Sequence, residues 1–202
     1  MKRRKNMFLG VMVMLFFVFA ASYQGLAGEK PTFLELKTLQ EKKISLVLED
    51  VNATTEIIIR NEKGQPLLSE QVRKTDTFAK VFNLEKLSAG LYDLIISDAQ
   101  KDIVQPFEIR AGIVLMDETR RKEYFAPVIG VKSKMLDISL FNRGLANVEL
   151  TIMDKEHKVL FADIFKGVLR IERRYNMKNL RRGTYTVKIA TAYKTYYHQV
   201  SL

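Results

Sequence analysis

Residues that could carry catalysis or hold a metal are few and scattered in this sequence. The chain has no cysteine, which excludes thiol catalysis and thiolate metal sites, and its only histidines are His157 and His198. They do not form a His-x-x-x-His ligand pair, and no G-x-S-x-G motif or glycine-rich phosphate loop occurs. We therefore predict no catalytic residue, no metal site and no cofactor, and a protein that is not an enzyme.

Acidic residues form two small groups at places where some β-sandwich loops bind Ca²⁺. Glu49 and Asp50 stand near Asn52, and Asp154 stands near Glu156. A calcium ion takes about six to eight oxygen ligands, a density that neither group reaches. Solvated turn residues are the favoured interpretation.

Positive charge is the most distinctive chemical feature. Residues 28–112 hold 12 Lys and Arg against 14 Asp and Glu, whereas residues 113–202 hold 17 against 9. Six of the basic residues lie within thirteen positions, and with Tyr197 of the last strand they form the candidate partner-binding set: Arg170, Arg173, Arg174, Lys178, Arg181 and Arg182. The alternative interpretation is a solvated basic face that aids solubility.

The elements that position these residues come from an internal duplication. LSAGLYDLII, from Leu87, and LRRGTYTVKI, from Leu180, share the pattern Leu-x-x-Gly-x-Tyr, and a shift of 93 aligns residues 56–109 with residues 149–202 without a gap. Repeated units of this length indicate two copies of one domain. We expect a first repeat at residues 28–111, a linker or extra edge strand at 112–123, and a second repeat at 124–202.

Apolar residues alternate with polar ones through both repeats, as in Tyr185, Val187 and Ile189. Period-two alternation is typical of half-buried strands, and turn signals separate the strands. No window after the N-terminal region carries a helical stripe. The sequence predicts an all-β protein with two tandem immunoglobulin or fibronectin-like β-sandwiches.

The repeated motif is interpreted as a tyrosine corner, in which a tyrosine hydroxyl bonds to backbone upstream. The corner residues would be two equivalent sets, with glycine permitting a close approach: Leu87, Gly90 and Tyr92, and Leu180, Gly183 and Tyr185. Lys80 and Arg173 stand at the inward phase of a strand in both repeats, which predicts a β-bulge, or a strand that leaves one sheet for the other, and not a buried charge. Pro106 is expected at a sheet edge or strand end.

Each repeat resembles the C-terminal sorting domains of Bacteroidetes type IX secretion cargo, and related small secreted immunoglobulin-like domains. In the first repeat the resembling residues are 57–65 (IIIRNEKGQ), 84–96 (LEKLSAGLYDLII) and 107–109. The second repeat departs from the pattern, with His157 at the turn glycine and Arg181-Arg182 before Gly183. The resemblance implies a sandwich fold and a location in the bacterial envelope.

The first residues have the order of a secretory signal peptide. Four basic residues, Lys2 to Lys5, precede an apolar run and the small-x-small pattern of residues 25–27 (GLA). This order predicts residues 1–27 as a signal peptide cleaved after Ala27, with an uncleaved anchor as the alternative. The expected location is periplasmic or extracellular.

Together these features predict an exported, non-enzymatic binding or structural protein of the bacterial envelope, engaging its partner through the second repeat. The partner would be an envelope protein complex, an anionic membrane or an acidic glycan surface, and not nucleic acid. Two alternatives remain: a type IX cargo or sorting module, and a carbohydrate-binding module. The absence of tryptophan counts against the latter.

Overall fold

The computed structural model describes residues 33–202, and the proposed signal peptide at residues 1–27 lies outside them. Seven strands form the first repeat: β1 Phe33–Leu39, β2 Lys43–Val51, β3 Thr55–Asn61, β4 Pro66–Val72, β5 Thr75–Asn83, β6 Gly90–Ser97 and β7 Lys101–Arg110. A connecting segment follows, with β8 Ile113–Met116, a 3-10 turn at Glu118–Arg120 and β9 Lys122–Phe125. The second repeat contains β10 Val128–Lys132, β11 Met135–Phe141, β12 Val148–Met153, β13 Val159–Phe165, β14 Arg170–Asn176, β15 Thr184–Ala190 and β16 Thr195–Ser201.

The strands form antiparallel sheets that pack in pairs, so the all-β prediction is confirmed. In the first repeat a sheet of order β1-β2-β5 faces one of order β4-β3-β6-β7-β8. In the second, β10-β11-β14 faces β13-β12-β15-β16. Inward residues such as Ile57, Ile59 and Leu94 are fully buried, as are Leu136 and Val187. Each large apolar side chain so buried contributes about 1.5–3 kcal/mol. No helix within residues 33–202 is long and apolar enough to cross a membrane.

The connecting segment packs on the first repeat. Strand β9 pairs with residues 101–104 of β7, and β8 pairs with residues 107–110. The proposed second-repeat start at Tyr124 therefore falls inside a strand of the first-repeat sheet. Gln105 lies in the gap between the two pairings, fully buried, donating to the backbone oxygens of Pro106 and Asp117 and accepting from Arg121 Nε.

Pro106 occupies the interior of β7, not a strand end. It pairs with Asp93 of β6 on one side, and its other side faces the gap between β8 and β9. Alternate residues of an antiparallel strand direct their N–H groups to opposite sides. The proline is tolerated because an N–H at this position would point into the gap, where no strand would accept its hydrogen bond.

The prediction of a bulge, or of a strand that changes sheets, at Lys80 and Arg173 is wrong, because β5 and β14 each belong to one sheet. The pairing of β2 with β5 and of β11 with β14 runs through both residues without a shift. Both side chains are exposed at the open edge of their sandwich. Lys80 forms an ion pair with Glu70 of the facing sheet, and the Arg173 guanidinium lies 4.8 Å from the Phe165 ring centre. An inward position at an edge can carry a long basic side chain whose charge remains in water.

A cluster of polar and aromatic side chains joins the two repeats. Asp102 of β7 is only 4% exposed, and it accepts hydrogen bonds from Ser97 Oγ and from Lys194 Nζ, each at 2.6 Å. The rings of Tyr124 and Tyr193 stack with their centres 3.8 Å apart. Because Lys194 and Tyr193 belong to the β15–β16 turn, these contacts fix the second repeat against the first.

Candidate binding surface

The two tyrosine motifs form the same hydrogen bond. The Tyr92 hydroxyl donates to the backbone oxygen of Ser88 at 2.9 Å, and the Tyr185 hydroxyl donates to that of Arg181 at 2.8 Å. Both tyrosine side chains are buried. Leu87 and Leu180 are half-buried, and each packs against its own core. The geometry is that of a tyrosine corner, which fixes the loop before β6 and the loop before β15.

The motif glycines are required for their backbone conformation. Gly90 has φ of 157° and Gly183 has φ of 159°, values that L side chains rarely adopt. A Cβ at Gly90 would stand an ordinary 3.8 Å from the Tyr92 ring, and a Cβ at Gly183 would have nothing within 4 Å. The expected close approach is therefore not the reason for glycine at these positions.

A lysine from the neighbouring hairpin also supports each corner. Lys42 Nζ donates to the backbone oxygen of Leu87 at 3.1 Å, and Lys134 Nζ lies 3.5 Å from that of Leu180. These lysines were not identified from the sequence. The signal available was their equivalence in the repeat, at a shift of 92 instead of 93.

The histidines occupy ordinary positions in strands and turns. His157 has φ of 63° and takes the place that Gly64, with φ of 77°, takes in the first repeat. His198 lies in β16, opposite Val187. In residues 33–202 no three His, Cys, Asp or Glu side chains are grouped so that they could hold a metal ion.

The structure divides the candidate basic residues among three places. Arg170 and Arg174 project from the outer face of β14, where each meets a carboxylate. Arg174 binds Asp137 through both Nε and Nη2, at 2.5 and 2.8 Å. These hydrogen bonds hold the pKa of Asp137 below its ordinary value. Arg170 lies 3.6 Å from Glu172, so the charge on this face is partly compensated.

The outer face of β14 borders a shallow depression of about 500 Å³. Val128, 72% exposed, and Gly130 form part of its lining, together with Asp137, Glu172 and Arg174. The glycine leaves the floor without a side chain, and the rim carries both signs of charge. The depression could accept an apolar group with mixed polar contacts.

Of the other four basic residues, Arg173 lies at the open edge beside Phe165. The remaining three lie together in the corner loop, residues 177–183. Lys178, Arg181 and Arg182 are all exposed. Among the described residues, no carboxylate lies within ion-pair distance of their side chains. Arg181 accepts the Tyr185 hydrogen bond through its backbone oxygen, so its guanidinium is not part of the corner and faces solvent. This loop is the uncompensated positive surface of the second repeat.

Tyr197 lies on the opposite sheet, in the edge strand β16. Its side chain is 65% exposed and stands opposite Lys188 of β15. Its neighbour Tyr196 points inward and donates to the backbone oxygen of Phe125 at 3.3 Å. Burial, with the charge of Asp102, raises the pKa of Tyr196 to about 12. Tyr197 thus faces solvent, while Tyr196 belongs to the contacts between the repeats.

Sequence reasoning did not identify the buried pair of Asp102 and Lys194. Asp102 stands near a turn, where an acidic residue ordinarily faces solvent. The repeat aligns Lys194 with Lys101, which pairs with Glu123 instead. The aromatic composition of the last hairpin was the available signal, because Tyr193 stacks on Tyr124.

No family model and no curated protein matches the chain. It is similar in structure to a chain described as biofilm associated protein, BSP domain, with 15% identity and a TM-score of 0.29; the match covers 83% of this chain and 29% of that one. The human OSCAR ligand-binding domain gives 10% identity and a TM-score of 0.26, covering 85% of this chain and 97% of that one. The FN1–FN3 domains of chicken CNTN1 give 7% identity and a TM-score of 0.24; the match covers 81% of this chain and 60% of that one.

Proposed function

We propose that this chain is an exported, non-enzymatic binding protein of a bacterial envelope, in which the second repeat holds an anionic protein or surface partner. The observation that carries the proposal is the contrast between the corner loops of the two repeats. Tyr92 and Tyr185 make the same hydrogen bond. The surrounding surface residues differ: Glu85, Ser88 and Ala89 in the first repeat correspond to Lys178, Arg181 and Arg182 in the second.

The charge in the second corner loop is available to a partner. Its three basic side chains are exposed and have no carboxylate beside them in the described part of the chain. Clustered positive charge attracts anionic partners and speeds their encounter. Exposed charges are screened by salt, so the binding should weaken as ionic strength rises.

The contacts between the repeats also support a binding role. Lys194 pairs with Asp102, and the Tyr193 ring stacks on that of Tyr124. A surface held in a fixed orientation binds with a smaller loss of conformational freedom than a flexibly tethered one. The two repeats would therefore act as one unit, in which the first repeat holds the second in a fixed orientation towards its partner.

The test replaces the basic residues by neutral ones without disturbing the corner. A variant with Lys178→Gln, Arg181→Ser and Arg182→Ala keeps the Tyr185 hydrogen bond, because that bond is to the Arg181 backbone. A control with Lys63→Gln, Arg73→Ser and Lys74→Gln, all exposed in the first repeat, loses the same charge.

The probes are vesicles of phosphatidylcholine with and without phosphatidylglycerol, and soluble polyglutamate. We expect the corner-loop variant to lose binding to the anionic probes that bind the natural chain, while the control variant retains it. Equal losses in the two variants would assign the effect to net charge. Unchanged binding in the corner-loop variant would refute the proposal.

A second candidate, a type IX secretion cargo or sorting module, rests on the resemblance of residues 57–65, 84–96 and 107–109 to those domains. It requires the C-terminal repeat to be cleaved or modified on export. Mass spectrometry of the mature C-terminus distinguishes the candidates: an intact, unmodified end at Leu202 excludes sorting by this route.

A further inference from the structure

The outer edge of β16 exposes unpaired backbone. Within the described residues its sheet ends at this strand. Gly183 and Leu202 exchange two backbone hydrogen bonds, and the pairing continues in register along β15 and β16. Successive residues of an antiparallel strand direct their N–H and C=O groups to opposite sides. Tyr196, His198 and Val200 therefore direct theirs to β15. Tyr197, Gln199 and Ser201 direct theirs to the open side.

The corresponding edge in the first repeat is occupied. There β9 pairs with Asp102 and Val104 of β7, and β8 pairs with Glu108. A shift of 93 places these three residues on Thr195, Tyr197 and Ser201. Both occupying strands run antiparallel to β7. The fold thus already holds extended chain along the equivalent edge.

The composition of β16 sets it apart from the other edges. Its residues, TYYHQVS, include no Lys, Arg, Asp, Glu or Pro. Every other described edge strand of five or more residues carries at least one of them: β1, β4, β5, β10, β13 and β14. Charged residues and prolines on edge strands discourage pairing with another chain, and β16 lacks this protection.

Positive charge lies beside this edge. Lys188 stands opposite Tyr197 in the adjacent strand. At the far end, the pairing of Leu202 with Gly183 brings the strand beside Arg181 and Arg182. Two copies of this chain would bring like charges together, whereas an acidic strand would be attracted.

We propose that the edge of β16 from Tyr197 to Ser201 binds an extended, acidic segment of a partner polypeptide by antiparallel strand addition. The inference rests on the proposed function and deepens it, because it names both the surface and the form of the partner. Backbone hydrogen bonds from the edge would supply affinity, and the flanking basic residues would select acidic sequences.

The probe is a short synthetic peptide that alternates valine and glutamate. Its matched control has the same side chains and charge but is N-methylated at alternate backbone nitrogens, which removes the donors for pairing. Amide hydrogen exchange followed by NMR reports each β16 residue separately. In the free protein the Tyr197, Gln199 and Ser201 amides should exchange faster than those of Tyr196, His198 and Val200.

The matched protein variants are Gln199→Pro and Gln199→Ala. Gln199 is the equivalent of Pro106, so a proline at this position is already compatible with the sandwich. Gln199→Pro removes an N–H that faces the open edge, whereas Gln199→Ala keeps it. We expect peptide affinity to fall by about tenfold or more in Gln199→Pro and to change little in Gln199→Ala.

Binding of the unmethylated peptide, with slower exchange at Tyr197, Gln199 and Ser201, is the expected result. Equal binding of the methylated peptide, or no peptide binding, would overturn the strand-addition inference. The corner-loop variant still tests the proposed function separately. Should Gln199→Pro fail to fold, the comparison of the two peptides on the natural chain decides. Concentration-dependent protection of these amides without peptide would identify a second copy as the occupant and also overturn the inference.

Discussion

Lys194 donates a hydrogen bond of 2.6 Å to Oδ2 of Asp102, a residue 92 positions earlier in the chain. The carboxylate is buried, and the lysine side chain is 41% exposed. Ser97 Oγ also donates to this carboxylate, at 2.6 Å from Oδ1. This pair is the principal charged contact by which the last hairpin of the second repeat is attached to β7 of the first.

Replacing Lys194 by methionine should therefore weaken the connection between the repeats. The change leaves the Asp102 carboxylate buried without its cation, at a cost of about 1–3 kcal/mol. Chemical denaturation measures the free energy of unfolding, and small-angle X-ray scattering measures the spread of orientations between the repeats. Lys155→Met is the control, because Lys155 is an exposed turn residue that pairs with its neighbour Glu156. Equal stability of the two variants would contradict this role of Lys194.

The tyrosine corners predict a measurable effect of one hydroxyl group. Tyr185→Phe removes the donor to the Arg181 backbone oxygen while leaving the packing of the ring in place. The free energy of unfolding should fall by about 1 kcal/mol, and Tyr92→Phe should behave alike. Tyr197→Phe is the control, because its side chain is largely exposed. An unchanged denaturation midpoint for Tyr185→Phe would remove the corner assignment.

The fold was accessible from the sequence because its signals are local and repeated. Alternation in β15 and the pattern shared by Leu87 and Leu180 depend on neighbouring residues alone. Contacts between the repeats depend on residues far apart in sequence, and no local pattern marks Asp102 as buried. The inward phase of Lys80 was identified correctly, but phase does not reveal that its strand lies at an open edge. The basic residues around Tyr185 are close in sequence, yet they lie in three places: the outer face of β14, the open edge beside Phe165, and the corner loop.

Substitution by alanine should affect stability differently at Gly183, a motif glycine, and at Gly130 of β10. Gly183→Ala forces an alanine to φ near 159° and should cost about 1–3 kcal/mol of unfolding free energy, although nothing obstructs the methyl group. Gly130→Ala is the matched control, since Gly130 has open space and no unusual φ. It should be neutral or stabilising by up to about 1 kcal/mol. Similar destabilisation by both substitutions would show that backbone conformation is not the reason for Gly183.

Tyr196 predicts a loss of stability at high pH. Burial, with the Asp102 charge, raises its pKa to about 12, whereas an unfolded tyrosine has a pKa of about 10. Between these values the unfolded chain releases a proton that the folded chain retains, so stability falls as pH rises from 10 to 12. Burial raises the pKa of Tyr175 and Tyr193 in the same direction. Denaturation across this pH range should show a smaller decline for Tyr196→Phe than for the natural chain. If stability declined as steeply in Tyr196→Phe as in the natural chain, Tyr196 would not contribute to the pH dependence.

Loss of the Gln105 side-chain hydrogen bonds should destabilise the connecting segment more than the rest of the first repeat. Gln105→Leu removes the donor to the Asp117 backbone oxygen and the acceptor for Arg121 Nε, both at a fully buried site. Loss of these two hydrogen bonds should cost about 1–3 kcal/mol in total. Because these partners lie between β8 and β9, amide exchange should quicken in those two strands more than in β3 or β6. Gln71→Leu, at an exposed position of β4, provides the control. Uniform acceleration throughout the first repeat would instead show that Gln105 supports the whole sandwich.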